Sequence, residues 1–505
     1  MFKKVLIANR GEIAVRVSRA LKELGVGSVA VYSEADRRSL HVLHADEAYL
    51  LGPPPARESY LNVDKLLEIA KRCGAEAVHP GYGFLAENAD FSKAVQKAGM
   101  AFIGPSWEAM NALGNKLAAR RLASKAGVPM VPGLEKPLRN LEEALHEAKQ
   151  IGYPVLLKAS AGGGGKGMRV VRAEEEMASA LELTRGEAKA AFSSDEVYLE
   201  KYLERPRHVE IQFLADHHGS AVYLGERDCS VQRRHQKLIE ETPAPNLRDE
   251  VRRAMGDCAV RLALQAGYTN AGTAEFMVDK DQNFYFLEVN ARLQVEHPVT
   301  EMVTGLDLVK LQLFVASGGK LPFAQADIQP RGHAIECRIT AEDPEKNFMP
   351  SIGKISRFRL PSGPGLRNDA GVYPGSEITL YYDSLVGKLI AWGRDRNEAR
   401  RRMLRALHEY VIEGVKTSIP FHRWALNHPE FVEGRCDVGM VAQFYHPQAV
   451  QPTEEEEALA VRAAALHAML HPSTGGARVE AVAATGDGVG GAWKRAGRPG
   501  AGGRI

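Results

Sequence analysis

The chain opens on short apolar runs alternating with amphipathic stretches. Residues 5–8 read as a buried strand, and 11–24 as a helix with Ile13, Val17, Leu21 and Leu24 on one face and Gly25 at its end. Further apolar runs at 28–32, 48–51, 75–78 and 101–103 are interleaved with helical patterns at 63–71 and 91–97. Strands and helices in alternation imply a parallel sheet covered by helices, an α/β unit. From about residue 115 the pattern changes. Helices over 116–126 and 141–151 precede strands at 155–158, 169–172, 197–201, 208–215, 221–226, 272–278 and 284–290. Many of these are joined by short turns, which predicts a mixed α+β unit with antiparallel hairpins. A third, strand-rich region runs from about 332 to 392, and a helix follows over 397–410. Its Pro361-Ser362-Gly363-Pro364-Gly365 cluster reads as a turn. Four glutamates from Glu454 open an alanine-rich helical stretch to about Leu470. The final Ser473–Ile505 segment holds ten glycines and no periodicity, the composition of a disordered tail. Domains are therefore expected over 1–114, 115–330, 331–446 and 447–505.

Composition narrows the function classes. With 505 residues, 45% of them hydrophobic, the chain can fill about three cores. Lysine and arginine total 65 against 63 aspartates and glutamates, a formal charge of +2, which argues against a protein that coats nucleic acid. Cys73, Cys229, Cys258, Cys337 and Cys436 are scattered and form no C-x-x-C pair, so reduced thiols and a cytoplasmic location are expected. No apolar run reaches the ~18 residues of a membrane span, and the N-terminal one is too short for a signal peptide.

Candidate chemistry lies beyond the first region. Its first turn, Asn9-Arg10-Gly11-Glu12, lacks G-x-G-x-x-G, so this part reads as a structural Rossmann-like module. Further on, Lys158 leads into Ala159-Ser160-Ala161 and four glycines, Gly162 to Gly165, followed by Lys166. Bare amides there can curl around phosphate oxygens, and the two lysines add charge. It is not a Walker A loop, because Gly167 replaces the Ser/Thr and a strand follows.

Residues 272–278 and 284–290 read as a hairpin whose turn centres on Asp281-Gln282. That register places Glu275 opposite Glu288, Phe276 opposite Leu287 and Val278 opposite Tyr285. Carboxylates ~5 Å apart repel by about 3 kcal/mol at an effective dielectric of 20, so the pair points to a cation between them. Oxygen ligands favour Mg²⁺ or Mn²⁺, and Asn290 shares the face of Glu288. Just beyond, Arg292 suits a small planar oxyanion, Glu296 a general base, and His297, ahead of a proline, a structural role. Upstream, 226–237 is dense in donors, and an extended chain would set Arg233, His235 and Lys237 on one face. Aromatic interleaving is absent, which favours an ATP and anion cradle over RNA. Glu200-Lys201-Tyr202-Leu203 reads either as an adenine-side edge or as a plain strand end.

Together these residues resemble the biotin carboxylase family of ATP-grasp ligases over about 1–445. The resemblance is carried by Ile7-Ala8-Asn9-Arg10-Gly11-Glu12-Ile13-Ala14, His79-Pro80-Gly81-Tyr82-Gly83-Phe84-Leu85, the glycine loop and Pro206-Arg207-His208-Val209-Glu210-Ile211-Gln212. It continues through Glu226-Arg227-Asp228-Cys229-Ser230, Arg233–Lys237, Gln294–Glu301 and His333–Arg338. Ala161 and Ala291 depart from the family's usual residues, and Lys166 stands where arginine is also common; no charged catalytic group is lost. The family implies a Rossmann-like N-terminal domain, an ATP-grasp domain whose glycine loop closes as a lid, and a mixed, β-rich C-terminal domain. It implies ATP contacts at Lys116, Lys158, Gly164, Gly165, Lys166, Glu200, Lys201, Leu203, His208, Gln232 and His235. Glu275, Glu288 and Asn290 become ligands of Mg²⁺ or Mn²⁺, with two ion sites expected. Lys237, Arg292, Gln294, Val295 and Glu296 line a bicarbonate pocket, and Arg338 contacts biotin.

The implied reaction is ATP-dependent carboxylation of biotin by bicarbonate through carboxyphosphate. None of the 13 methionines precedes a lysine, so the family's Met-Lys-Met attachment site is missing. A separate biotin carboxyl carrier protein is then expected, together with a carboxyltransferase subunit. The enzyme itself is expected to be a homodimer, with neither nucleic acid nor membrane as partner. An acetyl-CoA carboxylase of fatty acid synthesis is the preferred assignment, with pyruvate or propionyl/acyl-CoA carboxylase the alternative. Two rivals are another ATP-grasp ligase, forming an amino-acid conjugate or carbamoyl phosphate, and a non-catalytic nucleotide-binding regulator.

Overall fold

The structure is a computed structural model that describes residues 1–114, 116–134, 136–159, 168–192, 195–450 and 454–470. Near the N-terminus, β1 (Lys4–Ile7), β2 (Gly27–Ser33), β3 (Glu47–Gly52), β4 (Ala77–His79) and β5 (Ala101–Phe102) form a parallel sheet in the order β3-β2-β1-β4-β5. Helix α1 (Gly11–Glu23) follows β1 and ends at Gly25, whose φ of +67° suits a residue without a side chain. Helices α2 (Val63–Arg72) and α3 (Ala89–Lys97) begin where the side chains of Asn62 and Asn88 accept backbone N–H bonds. The fourth strand starts two residues later than its apolar run, because Gly74 and Ala75 still close the end of α2 onto Lys71 and Ala70.

In such a sheet, ligands sit in the crevice at the strands' carboxyl ends. At that edge the turn after β1 is tied down by its own side chains. Arg10 donates to both Asp36 oxygens at 2.6 and 2.8 Å, and Asn9 Nδ2 donates to the carbonyls of Pro80 and Tyr82. These contacts commit Asn9 and Arg10 to holding the module together.

After α4 (Trp107–Gly114), α5 (Lys116–Lys125) and α6 (Leu141–Ile151) comes a three-stranded sheet of β6 (Val155–Ala159), β7 (Met168–Val171) and β8 (Val197–Lys201), with β6 central. Helix α7 (Met177–Phe192) packs on it. The glycine run, with Gly164, Gly165 and Lys166, lies outside the described residues, as does the expected lid.

An eight-stranded sheet forms the rest of the core. Its strands are β9 (Arg207–Ala215), β10 (Ala221–Arg233), β11 (Gln236–Thr242), β12 (Asn270–Val278), β13 (Phe284–Asn290), β14 (His333–Thr340), β15 (Leu366–Ala370) and β16 (Leu385–Gly393). The order is β13-β12-β9-β10-β11-β14-β16-β15. One sheet therefore runs from the central region into the C-terminal one, joined by β11 and β14. Helix α8 (Asp249–Gln265) covers β9 and β10; α9 (His297–Thr304) lies over β10, β11, β14 and β16; α10 (Leu308–Ala316) packs on β12. Helix α11 (Arg396–Glu409) covers the other face of β14 and β16, and α12 (Glu454–Leu470) forms where the glutamates predict it. The glycine-rich 473–505 segment lies outside the described residues. Among the described residues, no helix is long and apolar enough to cross a membrane.

Candidate active site

The site grows out of four neighbouring strands. Across β10, β9, β12 and β13 the residues in register are Arg227, Glu210, Glu275 and Glu288. Glu275 faces Glu288 as the hairpin predicts, but the remaining pairs differ. Phe276 lies opposite Phe286, and Val278 opposite Phe284, because the register shifts by one residue after Glu275. The turn explains the shift: Asp279 accepts the N–H groups of Asp281 and Asn283, Gln282 is left-handed (φ +65°), and Leu287 is bulged out beside Glu288.

Three buried acids converge on one lysine. Lys237 Nζ lies 2.5 Å from Glu210, 2.8 Å from Glu275 and 2.7 Å from Glu296. Arg227, fully buried, donates to Glu210 at 2.6 Å and also to Gln212, Thr300 and Thr273. Arg338 bridges Glu240 (2.6 Å) and Glu296 (2.9 Å). His208 Nε2 sits 3.1 Å from Glu275, and Gln232 Nε2 lies 3.5 Å from His208 Nδ1.

Lys237 reaches the acids because the chain reverses sharply just before it. Arg234 (φ +49°) and His235 (φ +66°) form a tight turn between β10 and β11. The extended face expected for Arg233, His235 and Lys237 is therefore absent. Arg233 instead bonds Asn347 and covers the ring of Phe348, and His235 is exposed at the turn.

Residues 291–296 lack regular structure and are held by side chains. The Arg292 guanidinium donates to Glu87 (2.9 Å), Gln294 (2.9 Å), Asn290 (3.1 Å) and the Leu293 carbonyl (3.2 Å). Gln294 reaches Glu275 at 3.3 Å, and the Val295 carbonyl accepts from Lys388. His297 is buried with Nδ1 2.7 Å from the Gln294 carbonyl, a structural position. On the small sheet, Glu200 pairs with Lys158 (2.5 Å) and Arg120 (2.8 Å), while Lys201 Nζ braces the carbonyls of Gly152 and Tyr153. Leu203 is half-buried just past β8. The side chain of Lys116, at the start of α5, lies outside the described residues. Glu275, Glu288 and Asn290 offer oxygen donors from one hairpin face, a set that fits a hard divalent cation.

The matching family models are "Biotin carboxylase, N-terminal domain" over residues 1–110, "Carbamoyl-phosphate synthase L chain, ATP binding domain" over 115–324 and "Biotin carboxylase C-terminal domain" over 336–443. Biotin carboxylase 1 of Bacillus subtilis is 55% identical over 86% of this chain and 97% of its own length. This chain belongs to the biotin carboxylase family. It is an ATP-grasp ligase. A pyruvate carboxylase subunit of Methanothermobacter thermautotrophicus is 53% identical over 88% of this chain and 90% of its own. Among solved structures, the biotin carboxylase domain dimer of Hydrogenobacter thermophilus 2-oxoglutarate carboxylase, in complex with MgADP, ADP and bicarbonate, is 48% identical. It has a TM-score of 0.82 and covers 90% of this chain and all of that one.

Electrostatics set the charge of each group in this biotin carboxylase. Burial alone would raise the Glu296 carboxyl, but Lys237, Arg338 and Arg227 outweigh it and hold it well below the usual range. Glu275 is likewise kept ionised, against burial, by Lys237 and His208. Lys237 stays protonated despite burial because Glu210, Glu275 and Glu296 surround it. Cys229 is pushed far up by burial and the nearby acids, so it is a thiol, not a nucleophile.

Sequence reasoning gave no separate role to Glu210, Arg227, Glu240, Glu87, Arg120 or Lys388. Glu210 carried a signal, since polar His208, Glu210 and Gln212 alternate along one strand. The others meet the site through pairings that local pattern does not reveal.

Proposed function

We propose that this enzyme carboxylates biotin on a separate carrier protein, using ATP and bicarbonate through carboxyphosphate, as the first half-reaction of a biotin-dependent carboxylase. The observation that carries this reading is Glu296: ionised, fully buried, and gripped by Lys237 and Arg338 beside the Glu275/Glu288 hairpin and Arg292. In this reading Arg292, Gln294 and the Val295 backbone hold bicarbonate. As the anions draw Lys237 and Arg338 away, Glu296 regains basicity and takes the bicarbonate proton. The freed oxygen attacks the γ-phosphorus, giving carboxyphosphate and ADP. Lys158 and His208 are assigned to the phosphates, Lys237 to the bicarbonate pocket beside them, and Lys116, Glu200, Lys201, Leu203, Gln232 and His235 to the rest of the nucleotide. A divalent cation held by Glu275, Glu288 and Asn290 supplies charge neutralisation on the phosphates when bound. Carboxyphosphate yields CO₂ and phosphate; phosphate removes the biotin N1′ proton, N1′ attacks CO₂, and Arg338 faces the ureido oxyanion.

The working unit in this reading is a homodimer served by a biotin carrier and a carboxyltransferase, divided at about residues 114, 330 and 446. The acceptor is assigned as acetyl-CoA; the 53% identity to a pyruvate carboxylase subunit supports pyruvate as the second reading. Two measurements test the reaction. Bicarbonate-dependent ATP cleavage should be stimulated by free biotin and abolished by EDTA; cleavage driven by an amine instead rejects the reading. Glu296→Gln should lose about 100-fold or more in kcat, the scale of a lost general base, while ATP binding persists.

A further inference from the structure

Glu296 is gripped twice by the same sheet. Its side chain is held by Arg338 on β14, and the residue in register with Arg338 on β16 is Lys388. Lys388 is 1% exposed, and its Nζ donates to the carbonyl of Val295 at 2.8 Å, the peptide that leads into Glu296. Two adjacent cations on one face thus fix one residue, one through its carboxylate and one through its backbone. The first turn of α9 takes up the carbonyls on either side, Gln294 from the His297 N–H and Glu296 from the Val299 N–H, both at 3.3 Å, whereas the Val295 carbonyl between them is turned to Lys388.

Lys388 is itself fixed by counter-charges from two other segments. Glu12, in the first turn of α1, lies 3.1 Å away, Asp369 on β15 lies 3.9 Å away, and the ring of Tyr82 is 5.6 Å from Nζ. A methyl group or a neutral amide would fill this space at lower desolvation cost, and a buried ammonium is retained where its donors have work to do.

We propose that Lys388 is a positioning residue for the general base, setting the 295–296 peptide so that Glu296 meets the bicarbonate proton in line. The inference rests on the reading of Glu296 given above. An ångström of misplacement at a reacting group costs roughly 100-fold. Lys388→Met keeps the stem and removes the donors. Its kcat for bicarbonate-dependent ATP cleavage should fall roughly 10- to 100-fold and its KM for bicarbonate should rise, while KM for ATP stays within about twofold. A purely structural role would lower the melting temperature without splitting the two KM values. Should Lys388→Met fail to accumulate because Glu12 is left uncompensated, the double variant Glu12→Gln/Lys388→Met removes both charges and should fold with the same kinetic loss. Wild-type kcat in whichever variant folds overturns the inference. Glu296→Gln, assayed alongside, separates the two claims: inactivity there with normal Lys388→Met turnover removes only the positioning role, whereas activity there removes the base and with it this inference.

Discussion

Lys237 pairs with Glu210, Glu275 and Glu296 at once, and each acid has a second basic partner, Arg227, His208 and Arg338 respectively, so the charge of the cluster is shared rather than set by the lysine alone. Arg292 is the opposite case: four acceptors share one guanidinium, and its Glu87 partner is 43% exposed. A planar fork satisfies these acceptors together, whereas an ammonium is a point charge on a flexible stem. Arg292→Lys should therefore raise KM for bicarbonate by about tenfold, with unfolding free energy changed by less than about 1 kcal/mol, since the Glu87 pair is solvated. Steady-state kinetics with varied bicarbonate and a thermal melt check both parts. At this scale the sequence was informative wherever the chemistry is local. Arg292, Gln294 and Glu296 fall within five residues, and their grouping follows from adjacency. Lys237 was recognisable as an anion contact, but its three carboxylates come from β9, β12 and residue 296, and nothing near Lys237 in the chain announces them.

Hairpins were legible where a single period fixes the register. Glu275 and Glu288 meet as alternation requires, and the prediction fails only past the bulge at Leu287, where turn geometry overrides the count. A second directly opposed acid pair, Glu240 on β11 and Glu336 on β14, was invisible, because its strands are separated by the whole of α8 to α10. This pair behaves differently from the first. Neither oxygen of Glu336, nor Oε2 of Glu240, has a hydrogen-bond donor among the described residues. Burial, only partly countered by Lys388, holds the Glu336 carboxyl well above the usual range, and burial against Arg338 raises Glu240 to about 7. Such a group keeps its proton when folded and releases it when unfolded above about pH 4.5. The unfolded state then binds fewer protons, so stability falls as pH rises from there towards 7. Glu336→Gln imitates the protonated form and removes its share of that slope, leaving the share of Glu240. Melting temperatures at pH 5, 6 and 7 should show the variant gaining on wild type by a few degrees as pH rises, and a parallel pair of curves would contradict the assignment.

At the scale of the molecule, the three regions read from the sequence are stitched by long-range charge rather than by linkers. Arg16 of α1 binds Glu301 and Asp307, Glu301 binds Arg367, and Arg367 binds Asp369 beside Lys388, so the N-terminal module, α9 and the far end of the large sheet share one ionic path. The β11–β14 junction carries the sheet across residue 330, a pairing that composition and periodicity leave unmarked. The segment after residue 450 stands outside this path. The described side chains of α12 include Leu459, Val461, Leu466, Met469 and Leu470, exposed by 55, 66, 58, 77 and 66%, and every candidate site residue, Lys388 included, precedes residue 389. Apolar side chains left this open contribute little burial to folding, at about 25 cal/mol per Å² of area withdrawn from water. The aromatic cluster of Phe348, Phe421, Trp424 and Tyr445, by contrast, closes before residue 450 and must be kept. A chain ending at Val450 should consequently melt within about 2 °C of the full-length protein and cleave ATP with free biotin at a rate within about twofold. A loss confined to the assay with biotinylated carrier protein would assign α12 to partner contact, whereas a drop in melting temperature would show that the helix packs on the body in solution.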